Sequence, residues 1–133
     1  MVKFYADTLN ALRFIKKDFF SFECGYLIVD SATIYNTIRE TVQLNLPGAR
    51  VLLFGSRARG DYDRFSDYDL LIITPETLPD QKKIKLSTLL NHAIVNALKI
   101  PVDLLINSED EVREKQDLPG HVVRTAVREG ILL

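Results

Sequence analysis

The chain has 133 residues, 47% of them hydrophobic and 26% charged, a composition typical of one soluble globular domain. Its 17 basic and 18 acidic residues nearly cancel, which argues against a nucleic-acid coat or a polybasic membrane anchor. The single cysteine, Cys24, excludes a disulfide framework and a cysteine-based zinc site. The longest uncharged stretch, residues 86–98, is too short to span a bilayer, and no secretion signal is recognisable. We therefore expect a cytoplasmic protein with neither a membrane nor a nucleic acid as its partner.

Residues 1–30 are the hardest part of the chain to interpret. Apolar residues at helical spacing predict a helix near residues 4–19. The aromatic and aliphatic residues on either side of Cys24-Gly25 also fit short strands. We therefore divide the chain into an N-terminal extension of open role, residues 1–30, and a domain over residues 31–133.

From residue 31 onward, helices alternate with short apolar strands. Apolar residues recurring every four positions predict a first helix, capped by Asp30 or Ser31 and ended by Pro47-Gly48. A longer amphipathic pattern predicts a helix over residues 81–98. The predicted strands, each a continuous apolar run of the kind found in buried sheets, cover residues 51–54, 69–73 and 102–106.

Two shorter helices are predicted after the third strand. Ser108 followed by Glu111 is a capping-box pattern that begins a short, densely charged helix, which serves either as a solvated face or as a partner-docking surface. A last helix over about residues 120–129 is closed by Gly130. Together the elements predict an α/β (α+β) domain, with a small mixed β-sheet flanked by helices and covered on at least one face.

The first motif that bears chemistry is Gly55-Ser56-Arg57-Ala58-Arg59-Gly60, directly after a buried strand. Gly55 allows a ligand to approach the main chain, and the amides after it, with the Ser56 hydroxyl, can form an anion-binding concavity. Arg57 and Arg59 add fixed positive charge and forked donors suited to phosphate. Taken alone, the motif fits an ordinary glycine-bracketed turn with two solvated arginines better than it fits a ligand site. The Walker phosphate-loop pattern is absent.

Asp67 and Asp69 form a second motif, two positions apart at the start of a predicted strand. Alternate residues of a strand share one face, so the two carboxylates can converge on one hard cation such as Mg²⁺. Without a cation, two like charges about 4 Å apart repel by roughly 4 kcal/mol at an effective dielectric near 20. The alternative is an aspartate-rich turn, because Asp61 and Asp63 lie nearby.

Asp103 interrupts an otherwise apolar strand and is the third candidate acid. A carboxylate there either faces solvent at a sheet edge or has a buried partner. If its strand lies beside that of Asp67 and Asp69, all three acids meet on one face, since neighbouring strands are about 4.8 Å apart. Asp103 could then ligate a second metal ion and accept the proton of an attacking hydroxyl. The combined set favours phosphoryl or nucleotidyl transfer.

These residues resemble a known family. The string Gly55-Ser56-Arg57-Ala58-Arg59-Gly60, followed after five residues by Ser66-Asp67-Tyr68-Asp69-Leu70, resembles the nucleotidyltransferase signature of the DNA polymerase beta superfamily. It is most similar to the small stand-alone members, the minimal nucleotidyltransferases or MNT proteins. Pro101-Val102-Asp103-Leu104-Leu105 resembles that family's third-acid strand, and Arg128-Glu129-Gly130-Ile131-Leu132 resembles the usual end of MNT chains.

The resemblance implies a polymerase beta-like nucleotidyltransferase fold and a role for each motif residue. The residues implied to bind the nucleotide are Gly55, Ser56, Arg57 and Arg59. Those implied to be catalytic and to bind Mg²⁺, with two ions in the active complex, are Asp67, Asp69 and Asp103. Tyr68 replaces the small aliphatic residue usual in the family, and strand alternation predicts that it points away from the aspartates.

The resemblance also implies a reaction and a partner. The enzyme would move a nucleoside monophosphate, AMP from ATP, onto a hydroxyl, such as a tyrosine of a helical HEPN toxin that the protein controls as an antitoxin. Two alternatives stay open: a non-catalytic antitoxin or regulatory module that binds its partner, and a small-molecule nucleotidyltransferase. Because about 100 of the residues already account for the nucleotide and metal side of the site, we expect a HEPN-type partner or a second copy of the chain to supply the acceptor side.

Overall fold

The computed structural model describes residues 30–133. The helix or strands predicted before residue 30 lie outside the described residues, and the division between an extension and a domain stays a prediction. The described elements, in chain order, are α1 (Ser31–Asn45), β1 (Arg50–Phe54), α2 (Gly55–Arg59), β2 (Tyr68–Thr74), α3 (Asp80–Leu98), β3 (Val102–Ser108), α4 (Glu109–Lys115), α5 (Val122–Glu129) and β4 (Ile131–Leu132). The helices and strands predicted from residue 31 onward are all present, and the structure adds α2 and β4.

The four strands form one mixed sheet in the order β3-β2-β1-β4. Strand β1 pairs antiparallel with both β2 and β4, whereas β2 and β3 run parallel. A parallel pair needs a crossover connection, and the long helix α3 supplies it. The predicted α/β architecture with a small mixed sheet is thereby confirmed.

Helices cover both faces of the sheet, whereas the sequence predicted only that at least one face is covered. On one face, buried residues of α1 and α3 such as Ile38 and Ile94 pack against Leu70 and Ile72 of β2. On the other face, Val112 of α4 and the α5 residues Val123 and Ala126 pack against Phe54, Leu71 and Ile73. Because side chains alternate along a strand, Asp69 and Asp103 belong to the α4/α5 face. Within residues 30–133, no helix has the length and apolar character needed to cross a membrane.

Local capping explains where several helices begin. Of the two candidate caps for α1, the structure selects Asp30, whose carboxylate accepts a hydrogen bond from the Thr33 amide at 2.7 Å. His121 caps α5 in the same way, since its Nδ1 accepts from the Val123 amide at 3.1 Å. The predicted capping box at α4 is present, with the Ser108 hydroxyl and the Glu111 carboxylate each bonded to the other's amide. Local side-chain chemistry therefore sets these helix boundaries.

The capping box also links α4 to the rest of the domain, and its loss should be measurable. The buried Ser108 hydroxyl accepts a second hydrogen bond from the Thr77 hydroxyl at 2.8 Å. We expect Ser108→Ala to lower the free energy of unfolding by about 1–2 kcal/mol in urea titrations. Ser31→Ala is the matched control: it removes a serine that does not cap α1 and should change stability by less than about 0.5 kcal/mol. Equal effects of the two changes would contradict the assignment.

Gly130 ends α5, as predicted, but for a reason that periodicity does not reveal. Its backbone is extended, with φ −67° and ψ 144°, rather than in the left-handed conformation usual for a glycine that ends a helix. A Cβ at this position would lie 2.2 Å from the Ala126 carbonyl oxygen. Glycine is therefore required by lack of space, and it lets the chain pass directly from α5 into β4.

Candidate active site

The three predicted carboxylates lie at the end of the sheet where β2 and β3 begin. The parallel register pairs Asp69 directly with Asp103, which places their Cα atoms about 4.8 Å apart on the same face. Asp67 lies two residues before Asp69, in the loop that leads into β2, and is exposed. The strand adjacency on which the role of Asp103 depends is therefore present.

Asp69 is the most enclosed of the three acids. Its partial burial raises the pKa of its carboxyl group, and the neighbouring Asp103 and Asp67 raise the pKa further. The nearby Arg59 guanidinium acts in the opposite direction. Negative charge on Asp69 is thus unfavourable in this setting, and a divalent cation bound between the acids would offset the repulsion.

The chemistry of the acids fits Mg²⁺, whose preferred protein ligands are carboxylate oxygens. Within residues 30–133, no three His, Cys, Asp or Glu side chains are already grouped as a set that could hold a metal ion. Asp67 and Asp103 are both exposed, so their side chains can rotate toward Asp69 without disturbing the core. The backbone thus supplies the placement, and the choice of side-chain rotamers would complete the ligand set.

Gly55 brings the phosphate-loop motif into contact with the acids. Strand pairing sets Phe54 opposite Asp69, so the next residue, Gly55, lies against the Asp69 side chain. A Cβ at Gly55 would lie 2.2 Å from Asp69 Oδ2, and the residue has a φ of +71°. Both the backbone conformation and the close approach therefore require glycine here.

The motif after Gly55 forms a short helical segment, α2, rather than a plain turn. It ends at Gly60, whose left-handed backbone (φ 84°) allows its amide to bond to the Ser56 carbonyl at 3.0 Å. Ser56 lies half-buried at the start of this segment, next in sequence to Gly55. This placement accords with the predicted phosphate-binding role of Gly55 and Ser56, which stays a prediction.

Arg57 is held by contacts within the motif region. Its Nε and Nη2 donate to the Ser66 carbonyl at 3.2 and 3.0 Å, and its guanidinium lies over the rings of Tyr62 and Tyr68 at 4.3 and 4.5 Å. Arg57 thereby stabilises the loop formed by residues 60–67, which joins the two motifs. Tyr68 is buried on the face opposite the aspartates, as alternation predicts. A direct nucleotide contact by Arg57 stays a prediction.

The contacts of Arg59 identify Glu129 as a further residue of the site, one that the sequence patterns did not indicate. Its Nη1 donates to Glu129 Oε1 at 3.0 Å, and its Nε donates to Asp61 Oδ2 at 3.3 Å. The same Glu129 oxygen accepts a hydrogen bond from the Gly55 amide at 3.0 Å. Glu129 belongs to the chain-end string that resembles MNT proteins, and this was the one signal that could have marked it.

The geometry places the predicted site residues in one region of the molecule. Asp69 and Asp103 are paired, Asp67 lies just before Asp69, and Gly55 contacts the Asp69 side chain, with the Arg59 guanidinium within electrostatic reach. Such sites accelerate phosphoryl chemistry chiefly by positioning and by charge neutralisation.

Comparison with known proteins agrees with this geometry. Residues 35–133 match the nucleotidyltransferase domain family, and the match covers most of the chain. The chain therefore belongs to the nucleotidyltransferase domain family. The resemblance drawn from the two motifs, and the enzyme class predicted from it, are confirmed.

A curated relative matches a shorter part of the chain. It is a Methanocaldococcus jannaschii protein provisionally named as a protein adenylyltransferase, and it is 60% identical over 37 residues. The aligned part is 26% of this chain and 37% of the relative, so the chain spans well under half of that relative's length.

Solved structures with the same fold come from toxin–antitoxin complexes. One is a complex with AMP-PNP (TM-score 0.52, 22% identity), and the match covers 77% of this chain and 72% of that one. A second is a variant of the MntA–HpeT complex (TM-score 0.52, 24% identity), with 74% and 70% covered. A third is a tri-AMPylated Shewanella oneidensis HEPN toxin in complex with an MNT antitoxin (TM-score 0.50, 20% identity), with 76% and 69% covered. At sequence identities of 20–24%, this structural similarity shows that these chains share a fold.

Proposed function

We propose that this chain is a Mg²⁺-dependent adenylyltransferase that moves AMP from ATP onto a hydroxyl group of a partner protein. The observation that carries the proposal is the pairing of Asp69 with Asp103 next to Gly55. This pairing supports a shared role for the two carboxylates, with Asp67 close by in sequence and the predicted phosphate-binding segment starting at Gly55. Membership of the nucleotidyltransferase domain family supports the kind of reaction.

Six motif residues have roles in this proposal, while Arg57 holds the loop between the two motifs. Gly55 and Ser56 border the triphosphate, and Arg59 adds positive charge beside it. Asp67, Asp69 and Asp103 would hold Mg²⁺, two ions in the active complex, and the bound metal would neutralise phosphate charge as the leaving group departs. Asp103, whose side chain is exposed, would also accept the proton of the attacking hydroxyl.

The proposed transfer consumes only ATP and the acceptor hydroxyl. The acceptor oxygen forms a bond to the α-phosphorus of ATP, and the bond from that phosphorus to the oxygen bridging to the β-phosphate breaks. Pyrophosphate leaves with the electron pair, and the hydroxyl proton passes to Asp103. Because the chemistry is an in-line displacement, the protein acts by positioning and by electrostatic stabilisation.

For the acceptor we propose a tyrosine of a helical HEPN-type partner, which would make the chain an antitoxin. Two observations support a protein acceptor. The structural neighbours include an AMPylated HEPN toxin bound to an MNT antitoxin. In this chain, the loop between the two motifs exposes two aromatic side chains beside the site, Phe65 at 73% and Tyr62 at 48%, as protein-binding surfaces often do.

The test uses the full chain and a candidate HEPN-type protein, which is sought first among the proteins encoded by the neighbouring genes. The two proteins are incubated with ATP and Mg²⁺, and the partner is examined by intact mass and by peptide mapping. We expect the partner to gain the mass of one or more AMP groups, on tyrosine, only when ATP and Mg²⁺ are both present. Chelation with EDTA should abolish the gain, and restored Mg²⁺ should recover it.

Two outcomes would contradict this proposal and favour the alternatives. A stable complex that silences the toxin with no mass change, with or without ATP, would indicate a non-catalytic binding antitoxin. Pyrophosphate release that requires a small hydroxylated molecule instead of the protein partner would indicate a small-molecule nucleotidyltransferase.

A further inference from the structure

Glu129 lies 74 residues beyond Gly55 in the chain, yet its side chain contacts the nucleotide motif directly. One carboxylate oxygen, Oε1, accepts hydrogen bonds from the Gly55 amide and from Arg59 Nη1, each at 3.0 Å. The side chain is only 23% exposed, so both bonds are partly shielded from water. Both donors belong to residues that the motif assigns to the nucleotide.

The fold holds Glu129 in place from both directions along the chain. On one side it ends α5, whose Val123 and Ala126 are buried against the sheet. On the other side Gly130 leads without a loop into β4, which pairs Ile131 with Leu53 of β1. Since β1 runs straight into Gly55, the same strand pairing that anchors the chain end sets Glu129 beside the motif.

Gly55 is therefore held between two carboxylates. Asp69 lies so close to its Cα that no Cβ could be accommodated, and Glu129 accepts the bond from its amide. Because that amide already has an acceptor, a nucleotide phosphate has to rely on other donors. Among residues 30–133, the acceptors of Arg59 are Glu129 and Asp61, which use Nη1 and Nε, so within this part of the chain Nη2 is available to a phosphate.

We propose that Glu129 is a positioning residue for the nucleotide. Its carboxylate fixes the Gly55–Ser56 peptide and aims the Arg59 guanidinium, so that the phosphates are bound by Ser56 and Arg59 Nη2 and not by the Gly55 amide. This inference rests on the proposed function, because it concerns the same site. The essential property of Glu129 is then its hydrogen-bond acceptor at a set distance, and its negative charge is secondary.

The test compares three substitutions of Glu129 in the full chain. Glu129→Gln keeps an acceptor oxygen in place and should bind Mg²⁺-ATP within about threefold of wild type in calorimetry. Glu129→Ala removes the acceptor and should weaken binding about tenfold or more, with KM raised more than kcat is lowered. Glu129→Asp keeps the charge but falls short of both donors, and should be weaker than Glu129→Gln.

Two further measurements separate positioning from general damage. The chemical shift of the Gly55 amide proton reports its hydrogen bond directly, and it should change in Glu129→Ala while staying near the wild-type value in Glu129→Gln. Glu114→Ala removes an exposed glutamate of α4 and serves as the matched control, with unchanged ATP affinity expected.

The possible results distinguish this inference from the proposed function. Failure of the wild-type chain to bind ATP would overturn both. ATP binding by the wild type with equal or tighter binding by Glu129→Ala would overturn only the inference, because Glu129 would then compete with phosphate for the same donors. Binding by Glu129→Gln as weak as that by Glu129→Ala, or weaker than that by Glu129→Asp, would likewise overturn the role as acceptor.

Discussion

Asp69→Asn is expected to abolish nucleotidyl transfer while making the metal-free protein more stable. A bound metal ion contributes several kcal/mol of charge stabilisation in such reactions, and Asp69 would help to hold it, so transfer should fall by at least about a hundredfold. Stability should move in the opposite direction, because the folded protein holds Asp69 beside Asp103 and Asp67 in a partly buried setting. The clustered carboxylates would then lower the free energy of unfolding of the wild type, as is common where residues are arranged for function.

The sign of the stability effect follows from the pKa of Asp69. The folded protein raises this pKa above the ordinary value of 3.8, so the folded state binds the proton more tightly than the unfolded chain does. The wild type therefore loses stability as the pH rises from the pKa of Asp69 in the unfolded chain through its pKa in the folded protein. The Asp69→Asn variant has no titrating group at this position, so it does not lose this stability at neutral pH. The gain should be under about 1 kcal/mol, because solvent screens a site of this exposure.

Thermal unfolding with and without Mg²⁺, together with the transfer assay, measures both effects. Mg²⁺ should raise the Tm of the wild type more than that of Asp69→Asn. Asp117→Asn, which removes an exposed acid outside the site, is the matched control and should leave transfer and Mg²⁺ response unchanged. A variant that retains transfer, or that loses stability in EDTA, would contradict the role given to Asp69.

Gly55→Ala is expected to damage stability and transfer together. The new methyl group would lie 2.2 Å from Asp69 Oδ2, at a backbone conformation with φ of +71° that disfavours alanine. Backbone strain and crowding should together lower the free energy of unfolding by roughly 2–4 kcal/mol. Because Asp69 has to move aside, transfer by the remaining folded protein should fall about a hundredfold.

Gly60→Ala provides a control that shares the backbone strain but not the crowding. Gly60 has a φ of +84°, yet a Cβ there would meet no atom within 4 Å from the rest of residues 30–133, its two chain neighbours aside. Gly60→Ala should therefore lower the free energy of unfolding in urea by about 1–2 kcal/mol and leave transfer near the wild-type value. If both alanine variants transfer equally well, the contact between Gly55 and Asp69 has no functional role.

The local features of this domain could be predicted because short-range patterns determine them. The first helix follows from an apolar stripe and an Asp30 cap, and α4 follows from Ser108 and Glu111 three residues apart. The two-residue strand β4 carries no periodic signal and exists only because β1 offers a pairing edge. The helical geometry of α2 was likewise hidden, since four residues between two glycines are compatible with a turn or a helix.

The sequence alone determined the chemistry available to this protein: three aspartates, a glycine-serine segment and two arginines, in a spacing that resembles one family. Only the tertiary structure decided how these groups meet, because contacts between distant residues depend on strand order and register, which no local pattern encodes. The parallel register of β2 and β3 sets Asp103 beside Asp69. The antiparallel pairing of β1 brings Gly55 against Asp69, and the pairing of β4 with β1 brings Glu129, from the far end of the chain, onto the Gly55 amide.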